Sequence, residues 1–130
     1  VKMKRICVFM NVFNVHVNRS PVLGQAERIV YKKGKFLNAS LDKASDKNER
    51  SSLVISTESG TKIIVVQIAG LIARRILSFI SQDQLLVQGE RFGLIRFGSR
   101  VDIYMPLDVE TKCKVGDKVT AGESILALLK

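Results

Sequence analysis

The sequence predicts a mainly β fold in a single domain, and three observations carry that prediction. Short apolar, β-branched segments recur along the chain, turn residues punctuate them, and 130 residues with 46% hydrophobic content suffice for one modest core. The first strand is expected near residues 5–10, directly after a basic start, and the second near 14–18 around the Val15-His16-Val17 triplet. A third is expected near 25–32. The polar run 38–51 reads as a long loop, of the kind often functional in a compact domain. Strands near 52–57 and 61–69 follow; within the second, Ile63 to Ala69 is a buried apolar run interrupted by Gln67 and stopped by Gly70. Leu71 to Ile80 continues as strand or becomes a short amphipathic element with arginines beside apolar residues, and core packing is the favoured role. Further strands are expected near 74–79, 84–88, 93–97, 100–104 and 125–129.

Charge narrows the partners. The net charge is +9, with a balance of +7 in residues 1–50 and +2 in residues 51–130. The basic half suits an anionic surface, and anionic lipid is favoured, each cation near a bilayer contributing about 1 kcal/mol. Nucleic acid is the weaker expectation, because no recognition helix, glycine-rich phosphate loop or aromatic stripe accompanies the charge. A merely solvated basic face stands level with either. No apolar run reaches the roughly 18 residues needed to span a bilayer. Cys7 and Cys113 lie in no metal or redox spacing and read as reduced thiols of a cytosolic setting. With His16 as the lone imidazole, no multi-histidine metal site is expected.

The chemistry-bearing candidate is the Gly98-Ser99 dipeptide inside the run Arg91 to Pro106. Alternation places Ile95, Phe97, Ser99, Val101, Ile103 and Met105 on one face of an extended segment, with Arg96, Arg100 and Asp102 on the other. Ser99 thereby takes an apolar slot. It is then either a satisfied structural hydroxyl or a nucleophile held away from water beside a glycine that permits unusual backbone angles. His16 has the same two readings, as a hydrogen-bonded core residue or as a proton carrier.

The closing stretch Lys114 to Leu129, with Gly116 and Gly122 six apart, resembles the final turn of lipoyl and biotinyl domains. Asp42-Lys43-Ala44 matches the lipoyl lysine tripeptide, yet 73 residues separate Lys43 from Gly116, too many for that hairpin. The likeness is therefore taken as shared architecture: a β sandwich with a lipoyl/biotinyl-like hammerhead turn near the C-terminus. A non-catalytic domain of this kind, with Ser99 merely structural, is the rival reading, and a basic nucleic-acid-binding domain is another.

Three blocks in order, Val8 to Gly24 with Tyr31 to Phe36, then Asp42 to Ser45 with Asn48-Glu49-Arg50, then Arg91 to Pro106, resemble the phosphatidylserine decarboxylase family in its short archaeal and bacterial form. The resemblance implies self-cleavage between Gly98 and Ser99, giving a β chain of residues 1–98 and an α chain of residues 99–130 that remain folded together. It implies that Ser99 becomes a pyruvoyl group, with no metal and no external cofactor. It implies decarboxylation of phosphatidylserine to phosphatidylethanolamine, with His16 in proton transfer, by a protein peripheral to the cytoplasmic side of the cell membrane. Asn18 and Arg19 stand near where many members carry a second histidine and are weak candidates for substrate binding; His16 is then expected to serve cleavage, decarboxylation or both. Oligomeric state is left open, a homodimer among the options. The chain reads as a piece of a longer one, since the family's upstream aspartate and membrane-embedding segments are expected before residue 1. By itself this stretch is expected to cleave slowly or not at all.

Overall fold

A computed structural model describes residues 2–10, 17–39, 44–70, 76–95, 99–120 and 123–129. His16, Lys43, Arg96 and Gly98 lie outside them.

The described residues form eleven strands and one four-residue helix: β1 (Lys4–Met10), β2 (Val17–Arg19), β3 (Gly24–Lys32), α1 (Ala44–Lys47), β4 (Arg50–Ser56), β5 (Lys62–Ile68), β6 (Ile76–Ser78), β7 (Leu85–Leu86), β8 (Arg91–Ile95), β9 (Ser99–Met105), β10 (Glu110–Thr111) and β11 (Ala127–Leu128). A six-stranded sheet has the order β1-β9-β5-β4-β3-β7, a three-stranded sheet the order β2-β8-β6, and β10 pairs with β11. Every ladder between named strands is antiparallel. The fold is mainly β, as the alternation predicts.

Alternation also sets which residues meet. On β4, Ser51, Leu53 and Ile55 are buried while their neighbours are partly exposed, the period-two signature of a strand with one face on the core. Leu53, Ile55, Ile63, Val65, Val101 and Met105 from the large sheet join Phe92 and Ile95 of β8 in one apolar cluster, so the core lies between the two sheets. Strand β5 is central and buried on both faces at its end, where Val65, Val66, Gln67, Ile68 and Ala69 are all inaccessible. At about 25 cal/mol per Å² of apolar surface removed from water, this double burial makes the centre of the large sheet its most strongly held part.

Two expectations are revised. The polar run 38–51 is not a free loop. Residues Ala44–Lys47 make a helical turn and Arg50 already starts β4. Asn48 is fully buried; its amide accepts from Leu37 N at 2.9 Å and donates to the carbonyls of Leu37 at 2.8 Å and Ala69 at 2.7 Å. Gly34 permits this packing, because a Cβ there would lie 2.4 Å from the Lys47 carbonyl oxygen. Through Asn48 the strap formed by residues 35–39 is thus tied to the end of β5. Sequence composition reported its polarity but not its partners.

The second revision concerns the single face that alternation draws from Ile95 to Met105. The two strands expected near 93–97 and 100–104 are present, but β8 ends at Ile95 in the small sheet and β9 starts at Ser99 in the large one, so they do not share one sheet face. Ser99 therefore opens a strand of the large sheet, and the strand before it in the chain belongs to the small one.

Candidate active site

Strand β9 lies between β1 and β5. Ser99 pairs with Met10, Arg100 with Phe9 and Ile68, and Asp102 with Cys7 and Val66. Ser99 is the first residue of the strand and is 1% exposed, on the same side as the core residues Val101 and Met105. Ser99 thus lies on the buried face that alternation predicts.

A polar pair lies in the interior. Asn18 of β2 and Gln67 of β5 are both buried, and Gln67 Nε2 donates to Asn18 Oδ1 at 2.8 Å, joining the two sheets through the core. Asn18 Nδ2 points at Met10 Sδ, 3.6 Å away, and Met10 is the residue registered opposite Ser99. Gly93, paired with Asn18 in the small sheet, makes room: a Cβ there would sit 2.4 Å from Gln67 Nε2. Each buried amide is expensive to leave unbonded, so this pairing fixes how the sheets meet near Ser99.

The opposite face of β9 carries a second polar group. Arg100 is 2% exposed and Asp102 0%, with Arg100 Nε 2.9 Å from Asp102 Oδ1 and Nη2 donating to Oδ2 at 3.2 Å. Arg100 Nη1 donates to the Ala39 carbonyl at 3.1 Å, tying β9 to the strap, and its guanidinium stands 5.7 Å from the Phe9 ring centre. Arg5 reaches to within 3.8 Å of Asp102.

Cys7 faces this carboxylate. Burial pushes its thiol pKa up, and a hydrogen bond to Asp102 and the negative charge there add to the shift. A raised pKa in the folded state means the thiol's contribution to stability is intact below the ordinary thiol range and is lost as pH rises from there through the folded value. In a Cys113→Ser variant, alkylation of Cys7 is expected to lag an unhindered cysteine as pH rises, with its inflection displaced upward in a rate profile followed by peptide mass spectrometry. An inflection at or below the ordinary range contradicts this assignment.

Asn18 thus meets Met10, the residue registered opposite Ser99, whereas Arg19 is engaged elsewhere: its guanidinium donates to the Gly89 carbonyl at 2.9 Å. Sequence reasoning noted Gln67 only as a break in an apolar run, and Arg100 and Asp102 only as an outer face. The available signal was a lone amide in a β-branched run and an Arg-x-Asp pair inside an apolar strand.

These features define a mainly β domain that buries a serine at the start of an inner strand of its large sheet and joins its two sheets through a buried amide pair. The family model for phosphatidylserine decarboxylase matches residues 1–127, and the chain belongs to that family. Its members are lyases of phospholipid biosynthesis that decarboxylate phosphatidylserine and depend in general on a pyruvoyl group. No solved structure matches the chain.

Proposed function

We propose that this chain is the catalytic domain of a pyruvoyl-dependent phosphatidylserine decarboxylase, forming phosphatidylethanolamine, with the prosthetic group made from Ser99 by scission of the Gly98–Ser99 bond. The observation that carries the proposal is the burial of Ser99 as the first residue of a central strand, at the point where the chain changes sheets. A group built on residue 99 requires a dry, preorganised interior, and the surroundings fit: Met10 and Val101 supply apolar walls, and the Asn18–Gln67 pair is the polar neighbour.

In this reading Ser99 Oγ attacks the Gly98 carbonyl carbon. The resulting ester is opened by β-elimination, and water releases ammonia as residue 99 becomes pyruvoyl. Once present, the group supplies an electron-withdrawing carbonyl that takes up the substrate amine and receives the electron pair left by carbon dioxide. His16 moves the protons, the general acid and base role an imidazole commonly takes. Asn18 and Gln67 hold β2 and β5 in register around the reacting residue. The α chain, residues 99–130, stays bound because β9 is hydrogen-bonded to β1 on one side and β5 on the other, both within residues 1–98. The fold we infer is a β sandwich closed by a lipoyl-like hammerhead turn; the core shared by two sheets and the β10–β11 pairing near the C-terminus support it. The basic amino-terminal half favours peripheral binding to anionic lipid on the cytoplasmic face.

The test is mass spectrometry of the full-length protein together with carbon dioxide release from vesicles containing phosphatidylserine. The expected result is an α chain beginning at residue 99 with a pyruvoyl end, and product formation that is abolished by reducing agents for ketones. An intact Gly98–Ser99 bond in a folded full-length protein overturns the proposal.

A further inference from the structure

Arg100 and Asp102 have no place in the chemistry above, yet they are the most deeply buried charged pair among the described residues. Burying two charges costs several kcal/mol per ion, and well-packed apolar residues of similar size commonly serve stability as well or better. Stability alone therefore explains the pair poorly. Its location is specific: Arg100 is the residue immediately after Ser99, and its side chain leaves the strand on the opposite face.

We propose that the Arg100–Asp102 pair is a positioning device for residue 99, holding it for self-cleavage and holding the newly cut end of β9 afterwards. The inference rests on the reading of Ser99 given above. Side chains alternate across a strand, so fixing the side chain of residue 100 on the outer face fixes that of residue 99 on the inner one. Arg100 is fixed from three directions, by Asp102 along its own strand, by the Ala39 carbonyl of the strap and by the Phe9 ring of β1. The strap is itself anchored through Asn48, which bonds Leu37 and Ala69. The clamp thus ties the start of β9 to two other parts of the β chain.

The need for such a clamp grows on scission. Residue 99 then becomes a chain end, and strand ends fray unless tied down. Between attack and elimination the ester joins Ser99 Oγ to the Gly98 carbonyl carbon, while the Ser99 amine is free. Two routes leave this point. In β-elimination the Ser99 α-proton is removed and the Cβ–Oγ bond breaks, giving the Gly98 carboxylate and, after one water is consumed and ammonia lost, pyruvoyl. In hydrolysis one water splits the ester itself, giving the same carboxylate and an α chain that begins with an ordinary serine. A loosely held residue 99 favours the second route, because misalignment slows elimination and admits water. The clamp therefore sets both the rate of scission and its outcome.

The experiment compares the full-length protein with Arg100→Lys and with the double variant Arg100→Met/Asp102→Leu, which removes both charges while keeping apolar volume. Three readouts are taken: the thermal midpoint, the rate of chain scission on a denaturing gel, and the pyruvoyl-to-serine ratio at the α-chain end by mass. The expected result for a folded double variant is scission slower by roughly 10- to 100-fold, the scale on which small misplacements act, and a larger share of α chains beginning with serine. Arg100→Lys keeps the charge but loses the fork, and is expected to fall between. Should the double variant not fold, Arg100→Lys decides on the same readouts. Folded variants with the wild-type rate and the wild-type pyruvoyl-to-serine ratio overturn the inference alone; an uncleaved wild-type protein overturns the parent reading and this inference with it.

Discussion

In the full-length protein, Ser99→Ala is expected to leave the chain as a single uncut polypeptide with no measurable decarboxylase activity. Alanine has no oxygen to attack the Gly98 carbonyl and none to leave by elimination, so both the scission and the group it makes are lost together. Loss of a sole nucleophile is among the largest single-residue effects known, on the order of 10⁶ in rate where it has been dissected in hydrolases. The fold should be indifferent. Ser99 occupies an apolar slot, registered opposite Met10, so removing its hydroxyl is expected to change stability by only about 1 kcal/mol. A gel, a carbon dioxide assay and a melting curve on the same preparation separate the two properties. A cut Ser99→Ala chain removes Ser99 from the chemistry, and an unfolded one reassigns it to structure.

The largest purely structural effect is expected at Gly93. A Cβ at this position would stand 2.4 Å from Gln67 Nε2 and 2.7 Å from the Leu77 carbonyl oxygen. The first obstacle is a side chain that can move only by abandoning Asn18, its buried partner in the small sheet. The second is backbone of β6, whose ladder with β8 runs through Leu77 and Leu94. Gly93→Ala should therefore cost about 1–3 kcal/mol, and lower the melting temperature by roughly 5–15 °C. Self-cleavage in the full-length protein should slow in parallel, because the displaced amide pair lies beside Met10 and hence beside Ser99. Adding Gln67→Ala should recover only part of the loss, since the Leu77 carbonyl remains. A Gly93→Ala protein that melts and cleaves like the parent would show that the sheets meet elsewhere.

The strands were legible because their signal is local. The apolar, β-branched run Leu53-Val54-Ile55 predicts a strand, and the ladder from Arg50 to Ser56 contains it, with burial alternating along it. The buried face of Ser99 was legible for the same reason. What alternation cannot convey is a change of sheet: the strands expected near 93–97 and 100–104 read as sharing one face, although β8 and β9 lie in separate sheets. Nor can composition show that a polar stretch is pinned, as the residues around Asn48 are, because its partners at Leu37 and Ala69 lie outside the stretch itself.

The sequence by itself determined the strand-rich class, the inward slot of Ser99, the basic amino-terminal half and the motif blocks that identify the family. Tertiary structure alone decided that Gln67 meets Asn18 across 49 positions, and that the outer face of β9 is covered, with Arg100 bonded to a carbonyl 61 positions away. The division has one physical cause. A pleated backbone assigns each residue to a face from its immediate neighbours, but whether that face is wet or buried depends on which distant segment folds over it.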